Sequence, residues 1–312
     1  MRLWSHDKNR GGKVPTGDIA KLSPPPKTGS NDARQRDLDD PRHPVGRRRG
    51  ALLAEQAGRR VTRKTAGYGW LPDLPDHRDL HLAPIGLVGP LPPAVDLGAH
   101  CPPVYDQGHL GSCTANAVGA AVQYDEIKQG LPSVLPSRLF IYYNERVIEG
   151  TISTDSGAMI RDGIKTVNQS GVCPESDWPY YPAAYAKQPP PLCYLDAANT
   201  KAVLYQRVTR DLDHMRSCLA SGYPFVFGFS VFASFESTAV ALTGVVPMPK
   251  HGEGLLGGHA VMAVGYDDAS HRFIVRNSWG ATWGDNGYCT MPYAYVTSRG
   301  LASDFWTIRS VS

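Results

Sequence analysis

Residues 113–127 read Cys-Thr-Ala-Asn-Ala-Val-Gly-Ala-Ala-Val-Gln-Tyr-Asp-Glu-Ile, and this stretch decides the first half of the fold. Its apolar side chains recur at the three- and four-residue spacing of a buried helix. Ser112 is suited to cap that helix, and Gly108 and Gly111 supply flexible backbone before it. We therefore predict Cys113 in the first helical turn, where unpaired N–H groups and the helix dipole favour a thiolate. A lone cysteine in this position is more often structural, so its chemistry depends on partners.

The rest of the chain passes from helical to strand patterns. Helical patterns lie near residues 136–149 and 157–170. The later β-type runs are residues 224–231, 259–266 and 273–277. This order predicts an α+β fold with a helical lobe at about 113–200, a β lobe at about 201–312, and a cleft between the lobes.

The last two β-type runs carry a candidate base and a residue to orient it. A polar turn at 267–271 joins them, which predicts an antiparallel hairpin with His259 opposite or next to Asn277. Opposed side chains in such a pair lie about 4.5–5.5 Å apart at Cβ, so the Asn277 amide can fix one imidazole nitrogen. A nucleophile, a base and a group that orients the base form a catalytic triad. The hairpin does not by itself bring Cys113 to His259.

Three motifs resemble those of the papain-like cysteine peptidases. They are Gln107-Gly108-His109-Leu110-Gly111-Ser112-Cys113, the histidine strand Gly258–Tyr266, and Asn277-Ser278-Trp279-Gly280 with Trp283-Gly284 following. His259 follows Cys113 by 146 positions, within the roughly 130–150 typical of the family. The resemblance covers about residues 92–312. It implies a two-lobed papain-like fold with an antiparallel β-barrel-like second lobe.

The resemblance also implies roles for named residues. Cys113 would be the nucleophile, His259 the base that later protonates the leaving amine, and Asn277 the group that orients His259. Gln107 would donate its side-chain amide to the oxyanion of the tetrahedral intermediate. Trp279, next to Ser278, would shield the hydrogen bond between Asn277 and His259 from water.

Several positions depart from the family pattern. Leu110 and Glu253 stand where disulfide cysteines are usual, which agrees with a reducing compartment. Thr114 replaces the usual Trp, as in bacterial members of the family. Substrate-binding positions implied by the resemblance are Gly157 and Ala158 for the substrate backbone, Met159, Ile160 and Ala260 around an apolar side-chain pocket, and Ser303 at its floor. The alternative for Met159 and Ile160 is that they simply face the helical core.

The first 91 residues differ from the familiar helical proregion. Residues 1–65 hold 16 Lys+Arg against 7 Asp+Glu, although the whole chain of 312 residues has a formal net charge of only +3. We predict a disordered basic arm there. The alternative is a tether to nucleic acid or to an acidic surface, which is disfavoured because no aromatic residues accompany Arg47–Arg49. Residues 66–91 are rich in Pro and aromatic groups and predict an extended prosegment. Because Trp70, Leu71 and Leu74 would otherwise be stranded in water, we expect residues 68–90 to cross the cleft and block it. The alternative is a packed N-terminal extension without a blocking role.

These observations predict a cysteine endopeptidase, made as a latent zymogen, that acts on peptide or protein substrates without a metal or other cofactor. The alternatives are a papain-fold acyltransferase or transpeptidase, and a binding protein with a dormant site. No apolar run is long enough for a membrane span. The first residues lack the apolar core of a secretory signal, which predicts a cytoplasmic location, with non-classical export left open.

Overall fold

Cys113 begins the first long helix, α1 (Cys113–Gln129), in the computed structural model, which describes residues 68–83 and 90–312. Small Ala and Gly side chains let this helix be buried from Cys113 to Glu126. It ends where Gly130 adopts the left-handed conformation, with φ of 68°. All described residues belong to one unit, Arg59–Ser312. The predicted basic arm, and residues 66–67 and 84–89 of the prosegment, lie outside the described residues.

Three further helices complete the helical half. They are α2 (Arg138–Glu149), α3 (Ile160–Gln169) and α4 (Pro191–Ala197). Ser137 caps α2 by accepting a hydrogen bond from the Phe140 amide, and Gly150 ends it with φ of 70°. The first two agree with the sequence prediction to within three residues at each end. Short turns of 3₁₀ helix lie at Gly98–His100 and Pro182–Ala184.

The second half is built on one antiparallel sheet. Its strands are β2 (Ala94–Asp96), β4 (Ala202–Arg207), β5 (Phe225–Phe232), β6 (Leu255–Asp267), β7 (Arg272–Arg276), β8 (Tyr288–Pro292) and β9 (Ala302–Val311). They follow the order β4-β9-β5-β6-β7-β8, and β2 pairs with β6. Helices α5 (Leu212–Ala220), α6 (Thr238–Thr243) and α7 (Tyr293–Thr297) accompany the sheet. Two short strands, β1 (Trp70–Leu71) and β3 (Ala158–Met159), form a separate parallel pair.

The α+β architecture is confirmed, but within residues 68–83 and 90–312 the sheet of the second lobe does not close into the expected barrel. Within the described residues the sheet is an open path whose ends, β4 and β8, do not pair with each other. Register shifts interrupt several pairings, including β5 with β9 and β6 with β7. Such irregularities increase the local twist of a sheet. No helix in these ranges is long and apolar enough to cross a membrane.

One apolar cluster spans both halves of the molecule. It joins Cys113 and Val118 of α1 with Ala260 and Met262 of β6 and Trp306 of β9. A second cluster lies within the β half and is rich in phenylalanine. Because α1 packs directly on β6, the start of the helix and the middle of the strand lie at the boundary of the two halves.

Arg146 of α2 anchors the chain on the helical side of that boundary. Although fully buried, its guanidinium donates hydrogen bonds to the carbonyl oxygens of Tyr142 (2.9 Å), Ile152 (3.0 Å), Thr154 (3.0 Å) and Tyr185. It also lies 3.9 Å from the ring centroid of Tyr142. Arg146 therefore fixes the loop that connects α2 to β3.

We predict that Arg146→Met lowers the free energy of unfolding by about 3 kcal/mol or more, because several buried carbonyl groups lose their donor. Urea denaturation followed by circular dichroism measures this change. Arg146→Lys should recover part of the loss. Arg78→Met is the matched control, since the Arg78 side chain is 76% exposed. An Arg146→Met midpoint equal to that of the control would contradict the prediction.

Candidate active site

The Cys113 thiol is fully buried at the first residue of α1. Backbone hydrogen bonds from Ala260 of β6, Gly69 and Thr114 reach its sulfur. Burial nevertheless dominates and raises the pKa of the thiol to about 12. The thiolate expected at a helix N-terminus is therefore not the favoured form in this state, because water is excluded from the sulfur.

His259 of β6 lies one residue before Ala260, whose backbone contacts that sulfur. Its Nε2 is 2.8 Å from Oδ1 of Asn277. The same Oδ1 accepts a hydrogen bond from the Ser278 amide at 2.8 Å, so it is an acceptor and Nε2 of the imidazole carries the proton. Nδ1 makes no hydrogen bond to any residue in the described ranges, which leaves its lone pair available as a base.

Aromatic rings surround the imidazole. The Trp279 ring lies 5.0 Å away at 33°, and edges of Phe229 and Tyr68 approach at 5.7 Å and 6.2 Å. This burial lowers the pKa of His259 to about 4, although the hydrogen bond to Asn277 acts in the opposite direction. Burial thus disfavours the charged form of both members of the expected ion pair.

Gln107 connects the loop before Cys113 to the loop after β7. Its Nε2 donates to the Leu110 carbonyl at 2.9 Å, and its Oε1 accepts from the Ser278 hydroxyl at 2.6 Å. The Gln107 amide also donates to the Ser278 carbonyl. The structure therefore brings the Gln107 side chain to the loop that ends at Cys113, and its role toward an oxyanion stays a prediction.

Residues Tyr68–Leu71 lie in the groove beside the thiol. Trp70 and Leu71 pair in parallel with Ala158 and Met159 of β3, and the Ala158 amide donates to the Gly69 carbonyl at 2.7 Å. The fit at Gly69 depends on its missing side chain, because a Cβ there would lie 1.7 Å from the Gly111 carbonyl oxygen. The backbone of this segment therefore touches both β3 and the loop of the nucleophile.

Trp70 fills a pocket formed with the β half. A Cβ on Gly228 would lie 1.9 Å from the indole, and one on Gly258 would lie 2.6 Å from it. The indole Nε1 donates to Oδ2 of Asp304 at 3.2 Å. Asp304 is not among the substrate-binding residues predicted from the sequence. Ser303, predicted at the floor of the pocket, pairs through its backbone with Gly228. The pocket that Trp70 occupies ends in a carboxylate and is not wholly apolar.

The other predicted substrate positions lie close to the same segment. A Cβ on Gly157, whose φ is 75°, would lie 2.2 Å from the Gly69 carbonyl oxygen. The Met159 amide donates a hydrogen bond to the Glu149 carboxylate at 2.7 Å. Ile160 and Ala260 are buried in the apolar cluster that includes Trp70. Ile160 thus contributes to the helical core as well as to the region around the segment.

Farther along the segment, Asp73 and Asp79 bind arginines of the domain. Arg207 of β4 pairs with Asp73 at 2.7 Å and with Asp79 at 2.6 Å, and Arg161 of α3 pairs with Asp79 at 3.1 Å. Trp306 Nε1 donates to Asp73 at 2.8 Å. This network, defined by these five residues, fixes the segment next to β4 and β9.

Nothing in the described ranges suggests a metal centre. Among residues 68–83 and 90–312, no three His, Cys, Asp or Glu side chains group as metal ligands. The six cysteines all lie in these ranges and are free thiols in the structure. The arrangement is that of a thiol, an imidazole and an amide at the boundary between two lobes.

A comparison with known proteins assigns this arrangement to a family. The model for papain family cysteine proteases matches residues 91–307. The chain belongs to the papain family of cysteine proteases.

Individual relatives agree. An uncharacterised peptidase C1-like protein of Acanthamoeba polyphaga mimivirus is 52% identical over 216 residues, which are 66% of this chain and 70% of that protein. Xylellain, a cysteine protease from Xylella fastidiosa, has 48% identity and a TM-score of 0.75 over 80% of this chain and 98% of its own. The cathepsin B-like CP3 of Giardia intestinalis is 31% identical over 208 residues, 61% of this chain and 64% of that protein. The likeness to xylellain supports the expected similarity to bacterial members.

We predict that the pKa of the His259 imidazole in the full chain is about 4, so that the imidazole is neutral at pH 7. Asn277→Ala should lower this pKa further, because the hydrogen bond to Asn277 raises it. Gly69→Val should move the pKa back toward the ordinary value, since a displaced segment readmits water. NMR titration of labelled imidazole groups measures all three, and a midpoint near 6.5 in the unaltered chain would contradict the prediction.

Proposed function

We propose that this papain-family cysteine protease cleaves peptide bonds within protein chains, with Cys113 as the nucleophile, and that residues 68–83 hold it latent. The observation that carries the proposal is the Tyr68–Leu71 backbone, paired with β3 directly over the buried Cys113 thiol. A peptide substrate would use the same β3 edge once the segment is displaced. The Ala158 amide, now bound to the Gly69 carbonyl, is the donor available for its backbone.

The chemical steps follow from the geometry of the proposed site. Nδ1 of His259 takes the thiol proton, and the Cys113 sulfur then attacks the scissile carbonyl carbon to form a tetrahedral oxyanion. His259 returns the proton to the leaving nitrogen as the C–N bond breaks, which leaves a thioester on Cys113. Water, deprotonated by the same imidazole, hydrolyses the thioester and restores the thiol. Asn277 keeps the imidazole oriented throughout.

Two features of the docked segment support the proposal that it keeps the protease latent. First, the segment removes water from the thiol and the imidazole, so the ion pair needed for attack is disfavoured. Second, the group that Gly69 offers to the sulfur is a hydrogen-bonding backbone amide. The backbone at Gly69 therefore covers the sulfur and blocks the approach of a substrate carbonyl.

A single substitution should displace the segment within the full chain. We predict that Gly69→Val raises both peptide hydrolysis and the rate of Cys113 alkylation at pH 7 by at least about tenfold, because each unit of lowered thiol pKa gives tenfold more thiolate. The added side chain would meet the Gly111 carbonyl, where even a Cβ lies only 1.7 Å away. Fluorogenic peptide libraries and iodoacetamide labelling followed by mass spectrometry measure the two rates.

Matched variants separate displacement from general damage. Gly300→Val is the control, because a Cβ at Gly300 meets open space, and it should keep the low rates of the unaltered chain. Gly69→Val combined with Cys113→Ala should abolish hydrolysis. Equal rates for Gly69→Val and Gly300→Val would refute latency. An alkylated but hydrolytically inert Gly69→Val chain would refute the endopeptidase, and product formation only in the presence of added amines would instead indicate acyl transfer.

A further inference from the structure

Gly111 is a junction in the proposed site. It lies between Leu110, whose carbonyl binds the Gln107 side chain, and Ser112, which precedes the nucleophile. Its own carbonyl faces Gly69. A shift of Gly111 would therefore move the nucleophile, the predicted oxyanion donor and the groove together.

The Gly111 amide is held by a side chain from another part of the chain. Both oxygens of Asp155 accept from it, at 3.0 Å and 3.1 Å. Asp155 follows the loop fixed by the buried Arg146, which binds the carbonyls of Ile152 and Thr154. The acceptor is therefore a carboxylate on a braced loop, and hydrogen bonds to charged acceptors are stronger than those between neutral groups.

The same carboxylate reaches the strand that pairs with peptide backbones. The Tyr142 hydroxyl of α2 donates to Asp155, and its oxygen accepts from the Gly157 amide at 3.2 Å. Gly157 directly precedes Ala158, the donor on β3. A continuous chain of hydrogen bonds thus runs from Gly111 through Asp155 and Tyr142 to Gly157.

We infer that Asp155 is a positioning residue that holds the loop of the nucleophile and the substrate-pairing strand in a fixed relation. This inference rests on the proposed function. The hydrogen bonds of Asp155 go to Gly111 and Tyr142 and not to the thiol or the imidazole. Asp155 therefore acts through Gly111 and, by way of Tyr142, through Gly157. It joins the two parts next to Leu110, where the family resemblance would place a disulfide cysteine. An ionic hydrogen-bond bridge of this kind does not depend on oxidising conditions.

Three variants separate the two arms of the bridge, which run from Asp155 to Gly111 and from Asp155 through Tyr142 to Gly157. Each variant is made in the Gly69→Val chain, and its rates are divided by the concentration of active sites. Asp155→Ala should lower kcat by about tenfold or more and raise KM. Asp155→Asn keeps one carbonyl acceptor for Gly111 and should recover most of kcat. Tyr142→Phe breaks only the arm to Gly157, so KM should rise by about tenfold while kcat stays within about twofold. Asp196→Ala, on the exposed side of α4, is the matched control.

Two readouts do not require turnover. Hydrogen exchange of the Gly111 amide in the unaltered full chain should accelerate by about tenfold or more in Asp155→Ala and remain slow in Tyr142→Phe. Alkylation of Cys113 should slow in Asp155→Ala and recover in Asp155→Asn. If the Gly69→Val chain hydrolyses no peptide, the proposed function fails, but the rate of Cys113 alkylation still tests the role of Asp155. Unchanged alkylation and kcat in Asp155→Ala would overturn the inference, whether or not Gly111 exchange changes.

Discussion

Exclusion of water from the Cys113 sulfur is the constraint on which the state of this protein depends. The same burial raises the pKa of the thiol to about 12 and lowers that of His259 to about 4. Proton transfer from sulfur to imidazole is therefore opposed from both sides, although the start of α1 and the Asn277 hydrogen bond favour the charged forms. The N-terminal segment contributes to this burial, because Gly69 contacts the sulfur and the Tyr68 ring lies 6.2 Å from the imidazole.

The groove fits both the backbone of the segment and the Trp70 side chain closely. Gly69 fits against the Gly111 carbonyl because Gly69 has no Cβ, and the Trp70 indole fits only because Gly228 and Gly258 leave space for it. Adding a methyl group at such positions would place atoms within 3 Å of fixed neighbours. Docking of this segment therefore depends on glycine positions that let the backbone at Gly69 and the Trp70 indole approach the groove closely.

The sequence predicts the parts of the site that are local or carried by a hairpin. Helix α1 follows from periodicity, and Trp70 is identified because its apolar surface requires cover. The hairpin brings Asn277 close to His259, although its ladder ends with Met262 paired to Arg276, so the two residues are not directly opposite. Asp304 and Asp155 could not be found this way. Their partners Trp70 and Gly111 lie 234 and 44 positions away, so only the folded chain reveals the contacts. Sheet closure likewise depends on pairing between β4 and β8, which strand patterns do not specify.

The network around Arg207 determines how release of the segment responds to acid. Asp73 is desolvated and lies near Asp304, which raises its pKa to about 6 from 3.8. A group with a raised carboxyl pKa takes up a proton more readily when docked, so this contribution to docking strengthens as pH falls from about 6 toward 3.8 and weakens as pH rises through that window. Release would also break the ion pairs of Arg207 with Asp73 and Asp79, and would leave this half-buried arginine with Asp304 at 3.6 Å. Acid therefore does not weaken the docking of the segment through Asp73.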